Sequence, residues 1–204
     1  MTLRLPKDTV LILIDLQVAI DHPKWGRRSN PEAEEKAGRL LQAWRDCGLK
    51  VIHIRHDSTF AASPYRPGQP GHAFKPEVMP IDGEHIIGKS ANSAFIGTPL
   101  EADLEAGGHT TLVIAGVLTQ NSVEATVRHA GNLGFRVILA EDACAACDVI
   151  DLNGRLWLAE DVHALSLANL NGEYAEIGDC ATIVSAIARW RPTSTFPNPS
   201  EVAR

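Results

Sequence analysis

Thr111-Leu112-Val113-Ile114-Ala115-Gly116-Val117-Leu118-Thr119-Gln120-Asn121-Ser122-Val123 is the stretch on which the reading of this chain turns. Its first five residues are apolar or β-branched with no polar alternation, the pattern of a strand buried on both faces. Glycine then breaks the run, and from Ser122 the apolar spacing becomes helical as far as a stop at Gly134. Strand, turn and helix in that order make half of a parallel β-α-β unit.

Outward from this unit the same alternation recurs. Val10–Ile14 and residues 51–54, 85–87, 136–140 and 174–177 read as five further strands, mostly apolar throughout. Helical segments separate them: residues 30–47, opened by Asn30-Pro31 as cap and first-turn proline and closed by Gly48; a second opened by Thr98-Pro99 and closed by Gly107-Gly108; then 122–133, 159–170 and 179–190. Buried strands alternating with helices predict an α/β fold, a Rossmann-like three-layer α/β/α arrangement around a six-stranded, mainly parallel sheet. Residues 1–191 read as one domain, and residues 192–204 as a Pro-rich, mobile C-terminal tail. Residues 56–83 break the rhythm. They are rich in Pro, Gly and Ser, and leave the carboxyl end of the second strand, where open α/β sheets place ligands, so they read as a lid or binding loop.

Composition narrows the function. A chain of 204 residues with 45% hydrophobic content can bury one good core. Its formal charge of -6 is spread over interspersed acids and bases, leaving no basic stripe for phosphates, so a small molecule is the expected partner rather than nucleic acid. No run reaches the roughly eighteen apolar residues of a membrane span, and no signal-peptide layout precedes Asp15, so a cytoplasmic protein without a membrane partner is expected. The four cysteines, at 47, 144, 147 and 180, then read as reduced thiols. A single Cys144-x-x-Cys147 without a second pair does not make a zinc site.

Three places carry chemistry. Asp15 ends the first strand as Ile14-Asp15-Leu16-Gln17, where a sheet of this kind puts acid/base groups, although an aspartate there also serves to tie down a loop. Lys89 lies in Gly83-Glu84-His85-Ile86-Ile87-Gly88-Lys89-Ser90, which formally matches the phosphate-binding GxxxxGK[ST]. That motif needs a strand before it and a helix directly after; here the strand lies inside it, and no helix starts before Thr98-Pro99. Lys89 is therefore a strand-end cation, able to stabilise a developing negative charge or remain a solvated lysine. Ser122 begins a helix, a position that suits an anion, a nucleophile or an ordinary N-cap. The eight histidines form no HxH or HExxH pattern, so neither a metal nor another cofactor is expected, and the absence of G-x-S-x-G argues against a Ser-His-Asp hydrolase.

Together these segments resemble the isochorismatase-like cysteine hydrolases over about residues 8–187. The resemblance rests on Leu13-Ile14-Asp15-Leu16-Gln17, His56-Asp57-Ser58, Lys89 followed by Ser93-Ala94-Phe95-Ile96-Gly97-Thr98, the run from Val113 through Val123 with Thr126 and Arg128, Gly134-Phe135-Arg136-Val137, and Glu141-Asp142-Ala143. It implies strand order 3-2-1-4-5-6, a homodimer or homotetramer, and a cis Val117-Leu118 bond that aims the Leu118 and Ser122 backbone N–H groups at an oxyanion. Asp15, Lys89 and Ser122 then occupy the catalytic places, with Ser122 where the amidase branch has its cysteine. Gln17, Trp25, His56, Tyr65, Phe95 and Thr119 are expected substrate-binding residues. The Asp/His metal spacing of the nicotinamidase branch is not reproduced by His53, His56 and Asp57.

Serine departs from that pattern, because a hydroxyl is far less acidic than a thiol. Three accounts follow: acyl transfer by Ser122 on a small amide or imide; isochorismatase-type vinyl-ether hydrolysis with Asp15 as acid; or an intact binding pocket left inactive by a Cys-to-Ser exchange, natural or engineered. Cys144 and Cys147, at the end of the fifth strand, stand as candidate pocket residues or a displaced nucleophile.

Overall fold

All the long apolar runs become strands in a computed structural model that describes residues 3–190. They are β1 (Val10–Ile14), β2 (Val51–His56), β3 (His85–Lys89), β4 (Thr111–Val117) and β5 (Arg136–Ala145). After β5 come two short strands, β6 (Val149–Ile150) and β7 (Leu156–Trp157), paired antiparallel in a hairpin of their own. Two-residue strands have no periodicity to read, so nothing in the sequence marks this hairpin. The sixth strand of the main sheet, β8 (Glu176–Gly178), completes the order β3-β2-β1-β4-β5-β8, with every neighbour parallel. This is the expected 3-2-1-4-5-6 arrangement, counting β8 as the sixth sheet strand. The tail and the domain boundary at 191 lie outside the described residues.

Helices α1 (Ala33–Asp46) and α5 (Cys180–Ile187) cover one face of the sheet, while α2 (Leu100–Ala106), α3 (Glu124–Asn132) and α4 (Ala159–Leu170) cover the other. Side chains of a strand alternate between faces. Leu11 and Leu13 of β1 therefore pack with Leu40, Trp44 and Ile183, whereas Val10, Ile12 and Ile14 pack with Leu100, Val127 and Leu170. Each such side chain contributes about 1.5–3 kcal/mol on full burial, so β1 is anchored from both sides and its carboxyl end is a rigid place to mount a charge. No helix among the described residues is long and apolar enough to cross a membrane.

Two helix starts differ from the sequence reading. Asn30 does not cap α1, which begins at Ala33 without a side-chain cap. Its amide instead donates to the carbonyls of Cys144 at 2.7 Å and Glu141 at 3.2 Å, a use that competes with capping. Ser122 does not cap a helix either. It lies within a π-helical turn, Thr119–Val123, that precedes α3, and its carbonyl accepts from the Thr126 hydroxyl at 2.7 Å.

Candidate active site

Parallel strands in register bring their carboxyl ends together. Ile14 pairs with Ile54 and Gly116, and His56 pairs with Lys89, so Asp15, His56, Lys89 and the residues after Gly116 meet at one edge of the sheet. The approach at Gly116 is close. Its φ is 140°, and a Cβ there would lie 2.1 Å from the Ile14 carbonyl oxygen, so only glycine fits. Asp15 itself has a φ of 54°, a conformation uncommon for a residue other than glycine and one that gathers at functional sites. Next along β4, the Val117-Leu118 peptide bond is cis.

Lys89 is the hub. Its ammonium, fully buried, donates to Asp15 Oδ2 at 2.7 Å, the Ala91 carbonyl at 3.1 Å and Ser122 Oγ at 3.2 Å, and lies 3.3 Å from His56 Nδ1. An ammonium can only donate. In the contact with Lys89, Ser122 Oγ is thus the acceptor, and its own proton is free to go elsewhere. Asp15 Oδ1 is buried with no hydrogen-bond partner among the described residues. Burial raises the Asp15 carboxyl above its ordinary range, opposed chiefly by Lys89 and more weakly by Ser122 and His56. His56 is held below its usual value, first by burial, so its imidazole is neutral at pH 7.

Asp15, Ser122, Val117 and Leu118 open onto a cavity of about 430 Å³. One wall is aromatic: Trp25 and His56 each stand edge-on to Tyr65, with ring centroids 6.1 and 5.6 Å away. Lys24, Phe60, Ser63, Asn92 and Asn121 also line the cavity without being candidates in the sequence, as does Ser58, which the sequence marks only within His56-Asp57-Ser58. Phe60 and Ser63 belong to the irregular 56–83 stretch, and Asn92 and Asn121 stand beside the motifs of Lys89 and Ser122; proximity to these features was the only available signal.

Three residues expected against the substrate lie elsewhere. Gln17 is fully buried and acts as a clamp, its amide accepting from the His56 N–H at 2.7 Å and donating to the carbonyls of His56 and His72. Phe95 packs on His129 and Phe135 in the core on the side of α3. Thr119 faces His163, with its hydroxyl 2.9 Å from Nδ1. The strand-end thiols are also outside the cavity wall: Cys144 is fully buried, and burial pushes its thiol up to about 12. Cys147 is raised by the same cause despite nearby Arg28. Among the described residues, no cluster of three or more His, Cys, Asp or Glu side chains is placed to hold a metal ion.

Comparison with known proteins matches residues 9–182 to the isochorismatase domain. A Bacillus subtilis protein, the uncharacterized isochorismatase family protein YrdC, is 44% identical over 82% of this chain and 89% of its own length. The maleamate amidohydrolase of Pseudomonas putida is 31% identical over 71% of this chain and 70% of that enzyme. A crystal structure from Chromobacterium violaceum, described as a hydrolase of the isochorismatase family, superposes with a TM-score of 0.90 at 57% identity, covering 93% of this chain and 98% of the other.

Proposed function

The chain belongs to the isochorismatase family of hydrolases, and on that premise we propose that it cleaves a C–N bond of a small amide or imide by acyl transfer to Ser122. The observation that carries this reading is the single ammonium of Lys89 within reach of both Asp15 Oδ2, at 2.7 Å, and Ser122 Oγ, at 3.2 Å. A relative that is an amidohydrolase supports the same reaction class.

In the proposed sequence, Asp15 takes the proton of Ser122 as Oγ attacks the substrate carbonyl carbon. Serine requires a stronger base than cysteine does, and a carboxylate whose pKa is raised by burial is a stronger base. Lys89 stabilises the negative charge that develops on Oγ and keeps Asp15 ionised in its buried place. The tetrahedral oxyanion lies at the Leu118 and Ser122 N–H groups. Collapse expels the amine, protonated by Asp15, and leaves an ester on Ser122, which water, deprotonated by Asp15, then hydrolyses.

A second reading also has an observation in its favour. A buried carboxyl with a raised pKa and an unpartnered oxygen can serve as an acid, as vinyl-ether hydrolysis requires. Ammonia release from a panel of small amides and imides separates the accounts, comparing the parent with Ser122→Ala and Ser122→Cys. Turnover by the parent and loss in Ser122→Ala is the expected result. Activity only in Ser122→Cys means a disabled cysteine hydrolase, and silence in all three removes acyl transfer and favours the vinyl-ether or binding account.

A further inference from the structure

We propose that the cavity contains a carboxylate subsite made by Lys24, with His56 Nε2–H as a companion donor, so that the amide it takes is one bearing an anionic arm. The assignment of the scissile bond rests on the acyl-transfer reading above; the carboxylate subsite stands on charge and hydrogen-bond geometry alone.

Among the described residues, Asp15 and Lys24 alone bring formal charge to the cavity wall, and Asp15 is engaged by Lys89. Lys24 has no carboxylate within ion-pair distance among the described residues. Its ammonium instead lies 4.3 Å over the Trp25 ring, a contact that steadies the side chain without cancelling its charge. Surrounding acids are already matched: Asp21 by Lys75 at 2.7 Å, Asp57 by His72 at 2.6 Å and Arg55 at 3.1 Å, and Asp148 and Glu160 by Arg27 at 2.9 and 2.6 Å. The face that meets a ligand is thus cationic in a chain whose formal charge is -6.

His56 adds direction. The Lys89 ammonium, 3.3 Å from Nδ1, can meet only a lone pair there, so a neutral imidazole carries its proton on Nε2. Nε2 has no hydrogen-bond partner among the described residues, and the ring lines the cavity. Trp25, which the Lys24 ammonium overlies, and His56 both stand edge-on to Tyr65, and all four residues line the cavity, which brings an ammonium and an N–H donor to the same cavity. Both are donors only, and a carboxylate is acceptor only.

The test is a pair of measurements. Calorimetric titration with dicarboxylates of two to five carbons and with the corresponding neutral diamides reports binding without any need for turnover. The best dicarboxylate is expected to bind at least about tenfold tighter than its diamide, equivalent to about 1.4 kcal/mol, and to weaken with salt. Lys24→Glu should abolish the preference while Lys24→Arg keeps it, with thermal melts verifying that both variants fold. Equal binding of acid and diamide, or a preference that survives Lys24→Glu, overturns the proposal. Ammonia release from the matching half-amides is measured alongside. A carboxylate preference without hydrolysis of any half-amide leaves the subsite standing and removes the acyl-transfer reading; hydrolysis that ignores the carboxylate does the reverse.

Discussion

The turn after β4 and the end of β5 are neighbours in the sheet, Gly116 opposite Cys144, and each offers a side chain able to act as a nucleophile. Judged as free amino acids, the thiol should win, since thiolate forms readily and alkoxide does not. The proposed mechanism inverts that order on the ground of their surroundings. Cys144 is sealed in the core and its thiol is pushed up to about 12, so it remains protonated and has no path to a ligand. Ser122 opens onto the cavity with a buried ammonium 3.2 Å from its oxygen and a carboxylate bound to that same ammonium. In the proposed mechanism, placement beside a cation and a base outweighs intrinsic acidity.

The sharpest way to break this contrast is to take away the cation. Lys89→Met should lower kcat/KM by about 10² to 10⁴-fold, the range typical for loss of an acid/base or electrostatic partner. The pH profile supplies a second signature. Asp15 must be ionised to act as a base, and burial raises its pKa, so the acidic limb of the parent should lie above the ordinary carboxylate value of 3.8. Without Lys89, which opposes that rise, the limb should move higher still. A limb that stays put in the variant would mean that Asp15 is not the group titrating.

A much smaller effect is expected on the other side of the comparison. Cys144→Ala removes one sulfur from a packed core and should cost about 1 kcal/mol or slightly more, read from urea unfolding, with activity within about twofold of the parent. Loss of catalysis at unchanged stability would restore Cys144 as the nucleophile.

The same contrast explains how much was legible in the sequence. β1 and β4 announce themselves because strands buried on both faces are apolar without a break, and the glycine stop of α2 holds at Gly107, while its N-cap is Pro99, one residue after Thr98. β1 ends where its apolar run ends, but β2, β3, β4 and β5 run on past theirs at the carboxyl end. His56 and Lys89 are polar and look like loop residues, yet they are the ends of β2 and β3. The carboxyl ends that carry the candidate chemistry are thus where hydrophobic patterning fades. Gln17 stands two residues after Asp15, yet its amide bridges to residues 56 and 72, a use visible only in the tertiary structure. Lys24 went unnoticed because an exposed lysine in an aperiodic segment has no pattern; its relation to the cavity arises when Trp25 meets Tyr65.

One measurement tests the assignment of the nucleophile directly: rapid acid quench of the protein during turnover of a slowly hydrolysed activated ester such as p-nitrophenyl acetate, followed by peptide mass spectrometry. The account predicts one added acyl group, on the peptide containing Ser122, and none on the peptide containing Cys144 and Cys147. An acyl group on that second peptide, or steady turnover undiminished in Ser122→Ala, would contradict it.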